Sequence, residues 1–211
     1  MIRIVVEGMD FTGKTTVCRH LAEYLDQQGT TVVRSTTSLT GGPIPALIEA
    51  AYRIPHLPDP VRSALFHLAY LPDLAARPTP PGGHNPAGQQ VWLQESYVCR
   101  VWAHDLARRQ TVLARFAARL APTLHRRVDL AVLLHSPHEV RHDRYLRTGA
   151  PNLRDDRRFG PDADHHRRVE EHLTRLAQGF GYHLIGTSEQ PPHESAAQIA
   201  ALLAELAPRH P

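Results

Sequence analysis

Gly8-Met9-Asp10-Phe11-Thr12-Gly13-Lys14-Thr15 is the stretch that decides the fold. Two glycines enclosing four residues and followed by lysine and threonine have the spacing of a phosphate-binding loop, the P-loop. In such a loop backbone N–H groups cradle phosphates, the lysine reaches the outer ones and the threonine hydroxyl meets Mg2+. Lys14 is also the single lysine of the chain, against 23 arginines. An ammonium is a compact point charge on a flexible stem, whereas a guanidinium is a wide planar fork. This position keeps the cation that fits inside a tight loop.

The flanks agree with the loop. Residues 2–6 form a short β-rich apolar run, and after Lys14 the residues Val17, Leu21, Tyr24 and Leu25 recur at helical spacing until Gly29. Strand, loop and helix in that order aim a helix N-terminus at an anion. Gly8, Gly13, Lys14, Thr15 and Thr16 are therefore expected to hold the phosphates of ATP, with Thr15 also on Mg2+.

Further along, residues 30–34 read as a second strand, 40–43 as a turn, and 44–52 and 61–74 as helices separated by Pro55, Pro58 and Pro60. Residues 77–89 are rich in proline and glycine and read as a surface loop. A strand over 91–94 ends at Glu95. A long helix is then expected to about Leu120, with Val101, Leu106, Val112, Leu113 and Phe116 on its buried side and Pro122 closing it. Residues 128–134 are an unbroken apolar run, which suits a strand buried on both faces. Helices over 137–147 and 164–180 enclose a segment, 148–161, rich in Arg, Asp, Gly and Pro that has the composition of a lid. A fifth strand at 182–185 and a helix at 193–206, with Ile199, Leu202, Leu203 and Leu206 inward, complete the chain. This alternation predicts an α/β P-loop NTPase fold: five parallel strands with helices on both faces, in a single domain spanning 1–211.

Composition narrows the function classes. A net charge of +3 and a pI near 9.1 raise the question of nucleic acid. Eight arginines fall between 141 and 168, but Asp143, Asp155, Asp156, Asp162 and Asp164 are interleaved with them. A surface that tracks phosphates is more one-signed, so no nucleic-acid partner is expected. The first strand starts at Ile2 and no apolar run approaches a membrane span, so a cytoplasmic protein without a leader or membrane contact is expected. Two cysteines, Cys18 and Cys99, are too few for a disulfide framework and read as small core residues.

Two carboxylates are placed for chemistry. Glu95, directly after the third strand, suits a ligand of Mg2+ or its water, or a base for an attacking hydroxyl. The plainer and less favoured reading is a cap on the helix that follows. Asp10 inside the loop would stand between donor and acceptor. The arginines from Arg141 to Arg158, with Arg147, Arg154 and Arg157 in or beside the lid, would bring charge-neutralising forks to the transferred phosphoryl group. A competing motif, His138-Glu139-Val140-Arg141-His142, matches the H-E-x-x-H pattern of zinc hydrolases. Nothing nearby supplies a third ligand.

With these pieces placed, the chain resembles the thymidylate kinase family of nucleoside monophosphate kinases over most of its length. Val6 to Thr16 is similar to that family's phosphate loop, including the aspartate before Gly-Lys-Thr. Ala64-Leu65-Phe66 resembles the helix whose phenylalanine stacks on the acceptor base, and Glu95-Ser96-Tyr97 sits where the family carries Asp-Arg-Tyr. Residues 164–173 resemble the helix after the lid, and Thr187 follows the last strand, where relatives line the adenine. The departures fall on the acceptor side. Ser96 replaces the family arginine, Tyr70 falls where a second arginine is usual, and Arg100, His104 and Asp105 replace serine, tyrosine and glutamine. Arg34 and Arg100 are available to compensate.

The resemblance implies an ATP- and Mg2+-dependent phosphotransferase with Asp10, Arg34, Phe66, Tyr70, Tyr97, Arg100 and His104 toward a small-molecule acceptor, and a possible homodimer. Two acceptors stay open, a nucleoside monophosphate and a free hydroxyl on a nucleoside or other small metabolite.

Overall fold

Along Ile2–Gly8 (β1) the side chains alternate between two faces, as the strand period requires. Ile4 and Val6 enter one apolar cluster and Val5 the other. The computed structural model describes residues 1–36, 54, 57–75, 90–148 and 158–206. In chain order β1 is followed by α1 (Lys14–Gln27), β2 (Thr31–Ser35), α2 (Asp59–Ala69), α3 (Leu71–Ala75), β3 (Gln90–Glu95), α4 (Val98–Ala107), α5 (Thr111–His125), β4 (Leu130–His135), α6 (His138–Arg147), α7 (Ala163–Gly179), β5 (His183–Gly186) and α8 (Pro192–Leu206). The predicted turn at 40–43, helix at 44–52 and loop at 77–89 lie outside the described residues.

The five strands pair in parallel in the order β2-β3-β1-β4-β5, the predicted α/β architecture. Helices cover both faces, because a parallel sheet buries both. On one side Ile4, Val6, Leu93, Val132 and Leu134 meet Val17, Cys18 and Leu21 of α1 and Ile199 and Leu203 of α8. On the other, Val5, Trp92 and Leu133 meet α4, α5 and α7 through Cys99, Ala103, Ala121, Leu124, Val169 and Leu173. Both cysteines are free and buried. Among the described residues no helix is long and apolar enough to cross a membrane.

The register brings the carboxyl ends of three strands together, with Val6 opposite Glu95 and Gly8 opposite Leu134. The connection leaving β1 runs to β2 on one side and that leaving its neighbour β3 runs to β4 on the other, and ligands of open α/β sheets bind at the carboxyl ends beside such a switch. The phosphate loop stands there.

Three expectations need correction. The long helix after Glu95 is two, because Arg109 adopts a left-handed conformation (φ 56°) that ends α4, a role glycine usually signals. The break resets the helical phase. In α5 the inward residues are Ala114, Ala117, Ala121 and Leu124, while Val112 is 77% and Phe116 37% exposed. Pro122 lies inside α5, which runs on to His125 and places Leu124 in the core. Leu206, expected inward on α8, is exposed, since Ile199, Ala200 and Leu203 already fill the inner face.

Candidate active site

The loop's shape follows from its glycines. A Cβ at Gly8 would sit 2.7 Å from the Leu134 carbonyl oxygen and 2.8 Å from Thr12 Oγ1, so no larger residue fits. Gly13 is at φ 90°, in the left-handed region that glycine enters without steric cost. Thr12 Oγ1 donates to the Met9 carbonyl at 2.8 Å and braces the turn from within. Lys14 Nζ donates to the carbonyls of Gly8 (2.8 Å) and Met9 (2.7 Å), curling back over the loop. Burial pushes its pKa down to about 8, with Arg100 adding to the effect and Asp10 and Glu7 opposing it. Such a desolvated ammonium gains from any anion in the loop. Thr15, on the exposed first turn of α1, and the half-buried Thr16 beside it stand at the helix N-terminus.

Asp10 is the hub of the site. Arg100 Nη2 of α4 lies 2.6 Å from one carboxylate oxygen and Arg158 Nη1 2.8 Å from the other. Burial alone would raise the Asp10 pKa, but Arg100, Lys14 and Arg158 together hold it well below the usual carboxylate range. Two guanidinium forks are thereby held beside the phosphate loop. The sequence reading names Arg100 and reaches Arg158 only as the end of the 141–158 arginine run, and the neighbouring Arg154 and Arg157 lie outside the described residues.

Glu7, the residue before the loop, is fully buried. Its Oε1 accepts from the backbone N–H of Tyr97 at 2.8 Å and more weakly from that of Arg100 at 3.4 Å. These groups open α4, so a carboxylate from β1 caps the helix that carries Arg100 and His104. Burial raises the Glu7 pKa from 4.5 to about 7, against the lowering influence of the Tyr97 N–H, Arg100 and Lys14. An acid whose pKa is higher folded than unfolded binds its proton more tightly when folded. Its contribution favours the fold at low pH and is lost as pH rises from 4.5 through 7. Relative to Glu7→Gln, the wild type should therefore lose roughly 3 kcal/mol of stability between pH 4.5 and 8, measured by urea unfolding at successive pH values. Parallel curves for the two proteins would show that Glu7 ionises freely in the fold.

At the end of β3, Glu95 is buried and takes a charge-assisted bond from Arg34 at the end of β2, so these two predicted residues do meet. Glu95 does not cap α4. Ser96, in the left-handed region at φ 64°, turns the chain so that its N–H donates to the Val6 carbonyl at 3.0 Å and Tyr97 becomes the N-cap. Thr187, after β5, donates its hydroxyl to the Thr12 carbonyl at 2.9 Å, which ties the last strand to the phosphate loop. Arg144 spans the same seam, donating to Phe11 O at 3.2 Å and to the Thr187 carbonyl. Arg147 does not join them. It is 77% exposed on the outer side of α6, paired with Asp143 at 2.7 Å. The helical phase set by the buried Arg141 and Tyr145 favours Arg144 over Arg147.

The acceptor-side residues divide. Phe66 is half-buried on α2, and His104 half-buried on α4 one turn beyond Arg100. Tyr70 and Tyr97 are core residues, their rings edge to face at 5.0 Å, and the Tyr97 hydroxyl donates to Asp73 at 2.9 Å. Asp105 is fully buried, bonded by Ser63 and by His67 Nε2 at 2.6 Å. This cluster locks α2, which carries Phe66, against α4, which carries Arg100.

The H-E-x-x-H histidines have a packing role. His142 stacks on Phe159 at 4.9 Å, His138 lies 5.4 Å from the same ring, and Phe159 also stacks on Tyr145 and leans on Phe11 of the loop. Among the described residues no group of three or more His, Cys, Asp or Glu is arranged to hold a metal ion. The motif belongs to an aromatic stack that seats the end of the 148–161 segment on the phosphate loop.

The order of the parallel sheet and the loop at its switch point define a P-loop NTPase fold. A solved thymidylate kinase from Candida albicans superposes with a TM-score of 0.66, at 14% identity, over 97% of this chain and 91% of that one. No protein-family model matches the sequence, and no curated protein matches it.

Proposed function

We propose that the protein transfers the γ-phosphoryl group of ATP to the phosphate of a nucleoside monophosphate. The observation that carries this reading is the pair of forks, Arg100 and Arg158, fixed on Asp10 beside the phosphate loop. In transfer to a monophosphate, an acceptor phosphate oxygen forms the new bond to γ-phosphorus as the bond to the β,γ-bridging oxygen breaks and ADP departs. That oxygen carries negative charge at neutral pH, so no proton needs to be removed. Positioning and charge neutralisation do most of the work. Lys14 would follow the β- and γ-phosphates, while Arg100 and Arg158 would draw the two anions together.

Mg2+ keeps several waters and takes only one or two protein oxygens beside the phosphates. The Thr15 hydroxyl at the exposed start of α1 suits that, and the Glu95 carboxylate at the end of β3 suits a water of its shell. When bound, the ion would neutralise charge building on the phosphate oxygens.

The alternative, transfer to a free hydroxyl, draws on Ser96 and Tyr70 standing where the resembling family carries arginines. It needs a base. Of the two candidate carboxylates, Asp10, held far below the ordinary carboxylate range, is a weak one, and Glu95 is already engaged by Arg34. Incubation with ATP and Mg2+ against each nucleoside and its own monophosphate, following ADP release, separates the two. Release driven by monophosphates supports the proposal, and release driven only by free nucleosides replaces it.

A further inference from the structure

The helix that carries Arg100, α4, begins without a cap of its own. Its N-cap is Tyr97, whose side chain makes no cap bond and packs in the core, and its first turn holds no acidic residue. The orphan N–H groups of a helix start are commonly met by a local pair of side chains, one at the N-cap and one three residues on. Here Glu7 serves both places from another element. Its Oε1 accepts from the Tyr97 N–H, at the N-cap, at 2.8 Å and from the Arg100 N–H, three residues on, at 3.4 Å.

Both ends of this contact are firmly held. Strand β1 is the middle strand of the sheet, paired on both sides, and Gly8 directly after Glu7 leaves no room for a Cβ beside the Leu134 carbonyl. On the other side, Ser96 holds φ 64° and donates to the Val6 carbonyl at 3.0 Å. A serine keeps such a left-handed conformation only where its surroundings impose it. Three residues beyond Glu7, Asp10 binds the Arg100 guanidinium at 2.6 Å. Residues 7–10 therefore grip Arg100 twice, once by its backbone and once by its side chain. A docking phosphate competes with the second grip and leaves the first untouched.

We propose that Glu7 is a positioning residue for phosphoryl transfer: by its reach rather than its charge, it seats the start of α4 on the strand entering the phosphate loop and so sets where Arg100 stands relative to Lys14. This rests on the monophosphate reading, in which Lys14 follows the donor phosphates and Arg100 draws in the acceptor. Glu7 is fully buried and acts only through the helix. A misplacement of about 1 Å in such a site can cost about 100-fold in rate. Charge is the weaker lever, because burial brings the Glu7 pKa to about 7 and both ionisation states retain an oxygen that accepts an N–H.

The test compares two variants that separate reach from charge, assayed with ATP, Mg2+ and whichever of the four common deoxynucleoside monophosphates turns over fastest. Glu7→Gln keeps the accepting oxygen in place without a charge, and its kcat/KM for the acceptor should stay within about threefold of wild type. Glu7→Asp keeps a carboxylate but withdraws it by one methylene. Its kcat/KM for the acceptor should fall about 10- to 100-fold while the KM for ATP stays within about threefold. Because Glu7 acts through Arg100, adding Glu7→Asp to Arg100→Met should cost less than about threefold more. The reverse order of the two variants, equal activity in both, or full additivity with Arg100→Met would overturn the inference and leave the monophosphate reading standing. A wild type that turns over free nucleosides and no monophosphate would overturn that reading and the inference with it. Should Glu7→Asp fail to fold, as judged by circular dichroism, Glu7→Met, of matching length and without an accepting oxygen, takes its place with the same expected loss.

Discussion

Lys14→Ala is expected to lower phosphoryl transfer by about a thousandfold or more, equal to about 4 kcal/mol of transition-state stabilisation, while the protein stays folded. The ammonium is the one cation rooted in the phosphate loop, and its present partners are two backbone carbonyls, Gly8 O and Met9 O. Because burial has lowered its pKa to about 8, removing it also relieves a desolvated charge. The change in folding stability should stay under about 1 kcal/mol. Lys14→Arg should fail nearly as badly, since a planar fork does not fit where the loop closes on a point charge. Initial rates and urea melts on the same preparations check both halves. Turnover within about tenfold of wild type would remove Lys14 from the reaction.

Arg100→Met should separate the two substrates. Each charge-assisted bond to a phosphate contributes about 1.5 to 3 kcal/mol, so the acceptor KM should rise about 10- to 100-fold while that for ATP stays within about threefold. The side chain reaches across from α4 to Asp10, and α4 is itself capped by Glu7 from the strand that leads into the loop. A loss there is felt by the acceptor before the donor. Equal rises in both KM values would instead assign Arg100 to the donor phosphates.

Much of this architecture is legible in the sequence because it is encoded locally. The apolar runs that became β1, β3 and β4, and the glycine spacing of the loop, are short-range signals, and the parallel order follows from their alternation with helices. What escaped is non-local or lacks a marker residue. Arg109 breaks a helix in a conformation usually announced by glycine. The partnership of Glu7 with Tyr97 joins residues 90 apart in the chain. The preference for Arg144 and Arg158 over Arg147 depends on which side of α6 the buried Tyr145 selects and on how the end of the 148–161 segment stacks through Phe159. Asp105, in a position suited to reading an acceptor, is instead drawn into the core by Ser63 and His67. The ion network that joins Asp10 to Arg100 and Arg158 exists only in the fold.

Phosphorus NMR of the protein with ATP, Mg2+ and a nucleoside monophosphate tests transfer between the two phosphates most directly. Growth of the β-phosphate resonance of a nucleoside diphosphate derived from the acceptor, in step with ADP and absent with Lys14→Ala, is the expected result. ATP consumed without any new phosphorus–oxygen–phosphorus linkage on the acceptor, or a new monoester on a nucleoside hydroxyl, would contradict it.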